Sequence, residues 1–188
     1  MITRREFVAG VACCAVAGKL MGQEAGAGNN EYLVSPCGLY CGACSAYIAT
    51  QRAKEQGTAA KPESGAKKPS MGNMQCDGCL GGGRIAPHAS SCAIKECAAS
   101  KSKNRLCSDC PEFPCDRITD FNNDGIPHHG EVLENLRQLK AMGLTEWAKH
   151  EEDRWRCSKC RTMLSWYDAE CPSCKNSRSD KLFPLRKA

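Results

Sequence analysis

The residues able to do chemistry in this chain are its thiols. Cys37-Gly-Leu-Tyr-Cys41-Gly-Ala-Cys44 sets three of them at spacings of four and three residues, with glycines between. Such a run folds back on itself and turns its sulfurs toward one point. Further sets follow: Cys76-Asp-Gly-Cys79, Cys92 and Cys97, then Cys107-Ser-Asp-Cys110 with Cys115, and last Cys157-Ser-Lys-Cys160 with Cys171-Pro-Ser-Cys174. An even number of thiols in an oxidising compartment also suits a disulfide framework. The C-x-x-C spacing favours metal, because a tight turn aims both sulfurs at one tetrahedral ion.

The last set carries the most specific signal. Cys157-x2-Cys160-x10-Cys171-x2-Cys174 describes two knuckles flanking a short strand pair at 162–167, which is the pattern of a zinc ribbon. Arg161 and Lys175 stand just after the knuckles, where glycine is common. The ten earlier cysteines are 37, 41, 44, 76, 79, 92, 97, 107, 110 and 115. Two tetrahedral zinc sites would use eight of them, and so would one cluster plus one zinc. All-thiolate ligation suits zinc and iron–sulfur alike. The cofactor reading is therefore zinc, with a [4Fe–4S] cluster on Cys37, Cys41, Cys44 and one later cysteine as the alternative. Radical S-adenosylmethionine enzymes use the same C-x3-C-x2-C spacing, but this chain is too short for their barrel and shows no cosubstrate motif.

No Ser/His/Asp or Cys/His catalytic set is present, so no catalytic residue and no reaction are read from the sequence. His88, His128, His129 and His150 read as surface residues, because the cysteines already suffice as ligands. Asp120-Phe-Asn-Asn-Asp-Gly begins like a calcium loop, and Glu131 falls at its twelfth position. Pro127, His128 and His129 do not suit such a loop, and an Asn/Asp turn capping the next helix is the better reading.

The rest of the chain must position these thiols with little apolar material. Of 188 residues, 16 are cysteine; the hydrophobic fraction of 41% includes them, and aromatics are only 6%. Chains short of core fold around metals or disulfides. The fold class expected is a small α+β or irregular metal-stapled protein: a cysteine-rich module, a two-helix segment and a C-terminal zinc ribbon. The net charge of +5 permits an acidic partner without demanding one.

Residues 1–27 read as a twin-arginine export signal. Thr3-Arg4-Arg5-Glu6-Phe7-Val8 matches its core, an apolar stretch from Phe7 to Ala17 follows, and Ala25-Gly26-Ala27 suits cleavage after Ala27. That stretch is too short to span a bilayer, and no other run is apolar enough. The expected location is periplasmic or extracytoplasmic. The twin-arginine machinery exports folded proteins, so thiolates would be ligated before meeting an oxidising compartment. The only partner the sequence names is that machinery; a protein or redox partner stays unidentified, and nucleic acid does not fit an exported protein.

The cysteine-rich metal-binding module spans 28–118. It should hold a helix from Ala43 to Glu55 that starts inside the triad and places Cys41 and Cys44 on one face. A flexible insertion rich in Gly, Lys and Pro covers 56–75, and the glycines of Gly81-Gly82-Gly83 suit a mobile loop after a knuckle. A helical connector at 119–155 contains an amphipathic helix from Glu131 to Met142, closed by Gly143. A second helix, from Glu146 to about Trp155, would be capped by Thr145. The ribbon covers 156–176, and 177–188 is a loose basic tail.

These residues together resemble a known family. CGLYCGAC followed by Ala-Tyr-Ile-Ala, then CDGC, CAIKEC and C-x2-C-x4-C with a proline before its last cysteine, is similar to domain of unknown function 3795, from Cys37 to about Phe121. The resemblance implies a small, cysteine-rich, metal-binding bacterial or archaeal protein, and no reaction. The tail with Glu146-Trp147 and the ribbon looks like an extension that some members carry. The export signal and the insertion depart from the plain cytoplasmic members.

Overall fold

Six α-helices occur among the described residues, which are 30–58 and 74–185 of a computed structural model: α1 (Ser45–Glu55), α2 (Pro87–Ser90), α3 (Ala93–Lys101), α4 (Asp116–Asn122), α5 (Val132–Met142) and α6 (Leu144–Arg154). Short 3-10 turns at Asn30–Leu33, Cys41–Ala43, Cys107–Asp109 and Pro127–Glu131 join them. The protein is small and mostly helical; its β structure among the described residues is three isolated bridges. The twin-arginine segment, most of the 56–75 insertion and the last tail residues lie outside the described residues. No described helix is long and apolar enough to cross a membrane.

The apolar period of α5 organises the packing. Val132, Leu136 and Leu139 are buried on one face, and α4, α6 and the Cys107–Asp109 turn pack around the helix. On α6, Trp147 and Ala148 are buried against it. The first cysteine loop docks on the same helix. Gly38 lies at φ +81°, and a Cβ built there would stand 2.7 Å from Leu136 Cγ. Neither that backbone nor that contact admits a side chain. Asn135, also buried, donates from Nδ2 to the Gly38 carbonyl at 3.0 Å.

Gly143 ends α5 and begins α6. Its N–H donates to Leu139 O at 2.9 Å, and its φ of +83° is the left-handed turn that glycine tolerates. The second helix thus starts at Leu144, ahead of the expected Thr145 cap. The calcium-like run forms the Asn/Asp turn and helix cap expected of it. Asp120 belongs to α4, which removes the first ligand position from any loop. Asn122 Oδ1 instead accepts the Leu133 N–H at 3.0 Å and caps α5, while Asp124 accepts the Ile126 N–H at 2.9 Å in a local turn.

Three other expectations change. The α1 helix begins after the triad, with Cys44 in extended conformation as its N-cap, so Cys41 and Cys44 do not share a helix face. The loop Gly81–Gly83 wraps around Asp77, whose carboxylate holds the Arg84 N–H at 2.9 Å and Lys54 Nζ at 2.7 Å. These partners, with the Arg84 guanidinium foremost, hold the Asp77 carboxyl well below its ordinary range. Residues 177–185 pack rather than hang loose. Leu182 and Phe183 are buried, and the Arg178 guanidinium lies 5.4 Å from the Trp155 ring and 5.0 Å from Phe183.

His128 and His129 are half-buried rather than surface residues. His128 stacks on Trp166 with ring centroids 4.0 Å apart and meets the Tyr167 hydroxyl at 2.5 Å. His129 lies against Phe121 at 3.8 Å and pairs with Asp124 at 2.7 Å. Burial, with His129 beside it, lowers the His128 pKa from 6.5 to about 4. An unfolded chain would bind a proton there between those values and the folded chain would not, so stability is present above 6.5 and falls as pH drops toward 4. Chemical denaturation at a series of pH values should show that fall, and His128→Phe should flatten it. An unchanged slope in His128→Phe would mean other groups carry it.

Candidate metal centre

The four C-terminal cysteines converge. Their sulfurs all lie within 4.8 Å of one another, with Cys157 and Cys174 3.6 Å apart and Cys160 and Cys171 3.5 Å apart. A tetrahedron with metal–sulfur bonds of about 2.3 Å has edges of about 3.8 Å. A disulfide would hold its sulfurs at about 2.05 Å. The set therefore fits a single tetrahedral ion, and these four residues could hold a metal.

Two copies of one backbone turn build it. In the first, Cys157 N–H donates to Thr162 O at 2.9 Å, Arg161 N–H to Cys157 O at 2.9 Å, and Arg156 bridges Met163. In the second, Cys171 N–H donates to Asn176 O at 2.8 Å, Lys175 N–H to Cys171 O at 3.0 Å, and Glu170 bridges Ser177. Each turn needs a left-handed residue four places after its first cysteine. Arg161 and Lys175 fill those places at φ +61° each. The departure from glycine noted in the sequence thus falls on the two strained backbones of the site. The strand pair expected at 162–167 reduces to the single Arg156–Met163 bridge.

Electrostatics divides the sulfurs. The Cys160 N–H acts on Cys157 to lower its pKa, and the Thr162 hydroxyl and N–H bring Cys160 to about 6. At Cys174 the Asn176 N–H works in the same sense, but hydrogen bonding with Cys160, burial and the other sulfurs outweigh it and hold the thiol at about 12. Four adjacent sulfurs do not all ionise without a cation among them. A bound dication removes that conflict and releases the remaining protons.

Helix α6 and the first cysteine loop anchor this centre. Leu164 N–H donates to Trp155 O at 2.9 Å, and Trp166 N–H to Ala43 O at 3.0 Å. Trp155 Nε1 donates to buried Glu151 at 3.1 Å, and Arg154 holds the same carboxylate at 3.3 Å. Burial pushes the Glu151 carboxyl up against these partners.

The ten earlier cysteines fall into looser groups, and none of the fourteen described cysteines is in a disulfide. Cys44, Cys92 and Cys115 are the N-caps of α1, α3 and α4, and burial raises the Cys44 pKa. Cys79 N–H donates to Cys41 Sγ at 3.5 Å. Those two thiols are linked: hydrogen bonding to Cys41, with Lys95 near, lowers Cys79 to about 7, and the same bond raises Cys41. Cys76 and Cys79 also act on Cys44, and Cys79 and Cys92 on Cys37. Burial pushes Cys37 and Cys107 up to about 12. Cys97, Cys110 and Cys115 gather near Cys107. The triad does not close on itself; Cys79, 35 residues beyond Cys44 (79 − 44 = 35), is the neighbour its members share. Spacing alone carried no signal for that choice. Nor did it point to Asp77, whose only mark in the sequence is its place inside a knuckle before a glycine run.

Replacing Arg161 or Lys175 with Gly should stabilise the metal-loaded chain. Left-handed backbone costs a non-glycine residue about 1–2 kcal/mol, and the extra freedom of an unfolded glycine returns part of that, leaving roughly 0.5 kcal/mol per site. The exposed pairs Arg161–Asp153 and Lys175–Glu170 contribute little. Thermal unfolding of the single variants checks this, and destabilisation in both would show that the side chains matter more than the backbone.

No curated protein and no solved structure matches this chain. The four converging cysteines lie beyond the segment that a family does match. Residues 33–120 of this cysteine-rich chain, the stretch from before Cys37 to after Cys115, match the family described as Protein of unknown function (DUF3795).

Proposed function

We propose that the chain is an exported metalloprotein whose C-terminal cysteines form a zinc ribbon, and whose metals stand in for a core in a small binding module. The observation that carries this is the convergence of Cys157, Cys160, Cys171 and Cys174 within 4.8 Å. Two repeated knuckles with all-thiolate ligands suit zinc, which needs no particular d-electron geometry and closes a structural site with four protein ligands. Export rests on Arg4, Arg5, Phe7 and the Ala25-Gly26-Ala27 site. The twin-arginine route would carry the protein folded and loaded into an oxidising compartment, where it would meet a protein partner.

A second reading has its own support. Cys79 neighbours Cys41 directly and acts on both Cys37 and Cys44. It is the later cysteine that a [4Fe–4S] cluster on Cys37, Cys41 and Cys44 would take as its fourth ligand. On this reading the protein carries electrons for a redox partner.

Anaerobic purification followed by metal and acid-labile sulfide analysis separates the two. Cys157→Ser with Cys160→Ser should remove about one zinc ion per chain and unfold the ribbon, because the binding energy of a structural site is folding energy. Metal content equal to that of the parent chain would end the ribbon reading. A colourless, zinc-only protein favours the binding module. A brown protein with iron and sulfide, bleached by Cys41→Ser, establishes the cluster.

A further inference from the structure

The cysteines from Cys97 to Cys115 gather apart from the ribbon, with the triad's Cys37 as a further neighbour of Cys107. Cys97 lies in the middle of α3, Cys107 and Cys110 bracket the Cys107–Asp109 turn, and Cys115 caps α4. All four line one cavity of about 20 Å³. That is room for a single water-sized body. Ile94, Phe113 and Ile118 complete much of the wall; Arg117 brings a positive charge to it, and Glu112, also in the wall, is paired with Lys101 at 2.7 Å.

The elements around the cavity are tied to one another. Cys110 N–H donates to Cys107 O at 3.1 Å and Phe113 N–H to Cys110 O at 3.1 Å, which fixes the C-x-x-C turn. Cys107 N–H donates to Pro36 O at 2.9 Å, next to Cys37. Arg117 Nη1 reaches from α4 to Ala93 O at 3.0 Å, in the first turn of α3. The helices bearing Cys97 and Cys115 are thus clamped across the cavity.

The wall chemistry selects the occupant. A buried water needs two to four polar partners, and thiols are weak donors and weak acceptors. An apolar ligand would not call for four sulfurs. Soft metals bind thiolates tightly, and Arg117 would offset part of the negative charge that four thiolates leave on a dication. We propose that Cys97, Cys107, Cys110 and Cys115 form a second thiolate metal centre, taking a single zinc-class ion. This goes beyond the ribbon and does not depend on it. The sulfurs here are set wider than the ribbon's, which are the described group lying within 4.8 Å. A single ion would draw them inward, and a cavity of about 20 Å³ has room for one ion and not for a multi-iron cluster.

The test uses the full chain, purified anaerobically and compared with Cys107→Ser/Cys110→Ser and with Cys157→Ser/Cys160→Ser. The first variant should lose one whole centre and keep the ribbon's ion; the second should do the reverse. Zinc lost from the first variant supports the site; iron lost together with sulfide would overturn the single-ion assignment. Because a double variant can misfold, thiol alkylation is mapped by mass spectrometry on the parent chain with and without chelator. Cys97, Cys107, Cys110 and Cys115 should be protected together and become reactive together when metal is removed. Unchanged metal content in Cys107→Ser/Cys110→Ser, alkylation of the four that chelator does not alter, or recovery of disulfides among them would overturn the proposal.

Discussion

The contact between Leu136 and the bare backbone of Gly38 is the constraint on which the rest of the molecule depends. It lets the first cysteine loop lie directly on α5, and the Asn135 bond to the Gly38 carbonyl fixes its height along the helix. From that docking the triad inherits its position. The same helix carries α4 and α6 on its other sides, so the cysteine module and the helical hairpin share one apolar centre. A chain with so few aromatic residues has little else to pack, and its largest fully buried side chain, Trp147, sits in this centre.

The periodic parts of the fold were legible in the residues. Leucines at three and four made α5, Gly143 stopped it, and the C-x-x-C pairs marked the knuckles. What the sequence concealed lies in contacts between distant segments. Spacing cannot tell that His128 will stack on Trp166, 38 residues away (166 − 128 = 38), or that Cys79 will be the triad's neighbour. Local rules were also overridden. The good helix formers after Cys41 suggested a helix through the triad, yet the Cys41–Ala43 turn and an extended Cys44 displace its start. Asp124, read as part of an Asn/Asp turn, satisfies a backbone N–H and also a histidine that the sequence did not link to it. Asp77 looked incidental and instead pins a glycine loop that composition marks as mobile.

Thiols replace hydrophobic bulk here, and they do so unevenly. Cys157 and Cys171 are as buried as core residues, while Cys160 is exposed. Three other cysteines cap helices. The hydrogen bond with Cys79, together with burial, favours the neutral thiol at Cys41 while the same bond lowers Cys79, so the chain holds sulfurs of unlike acidity close together. That inequality is what a metal levels, since ligation requires every sulfur in the shell to give up its proton.

The single residue shared by α5 and α6 has a consequence for how this architecture can vary. An α-helix advances about 100° per residue. With Gly143 as the whole connection, one added or deleted residue would turn α6 by that angle about its own axis. Trp147 would swing away from α5, and Glu151 and Trp155 would leave the base of the ribbon. The length of this elbow sets the angular phase between the cysteine module and the C-terminal centre. A residue added in the loop before α5 would leave that phase intact, whereas one added at the elbow would not.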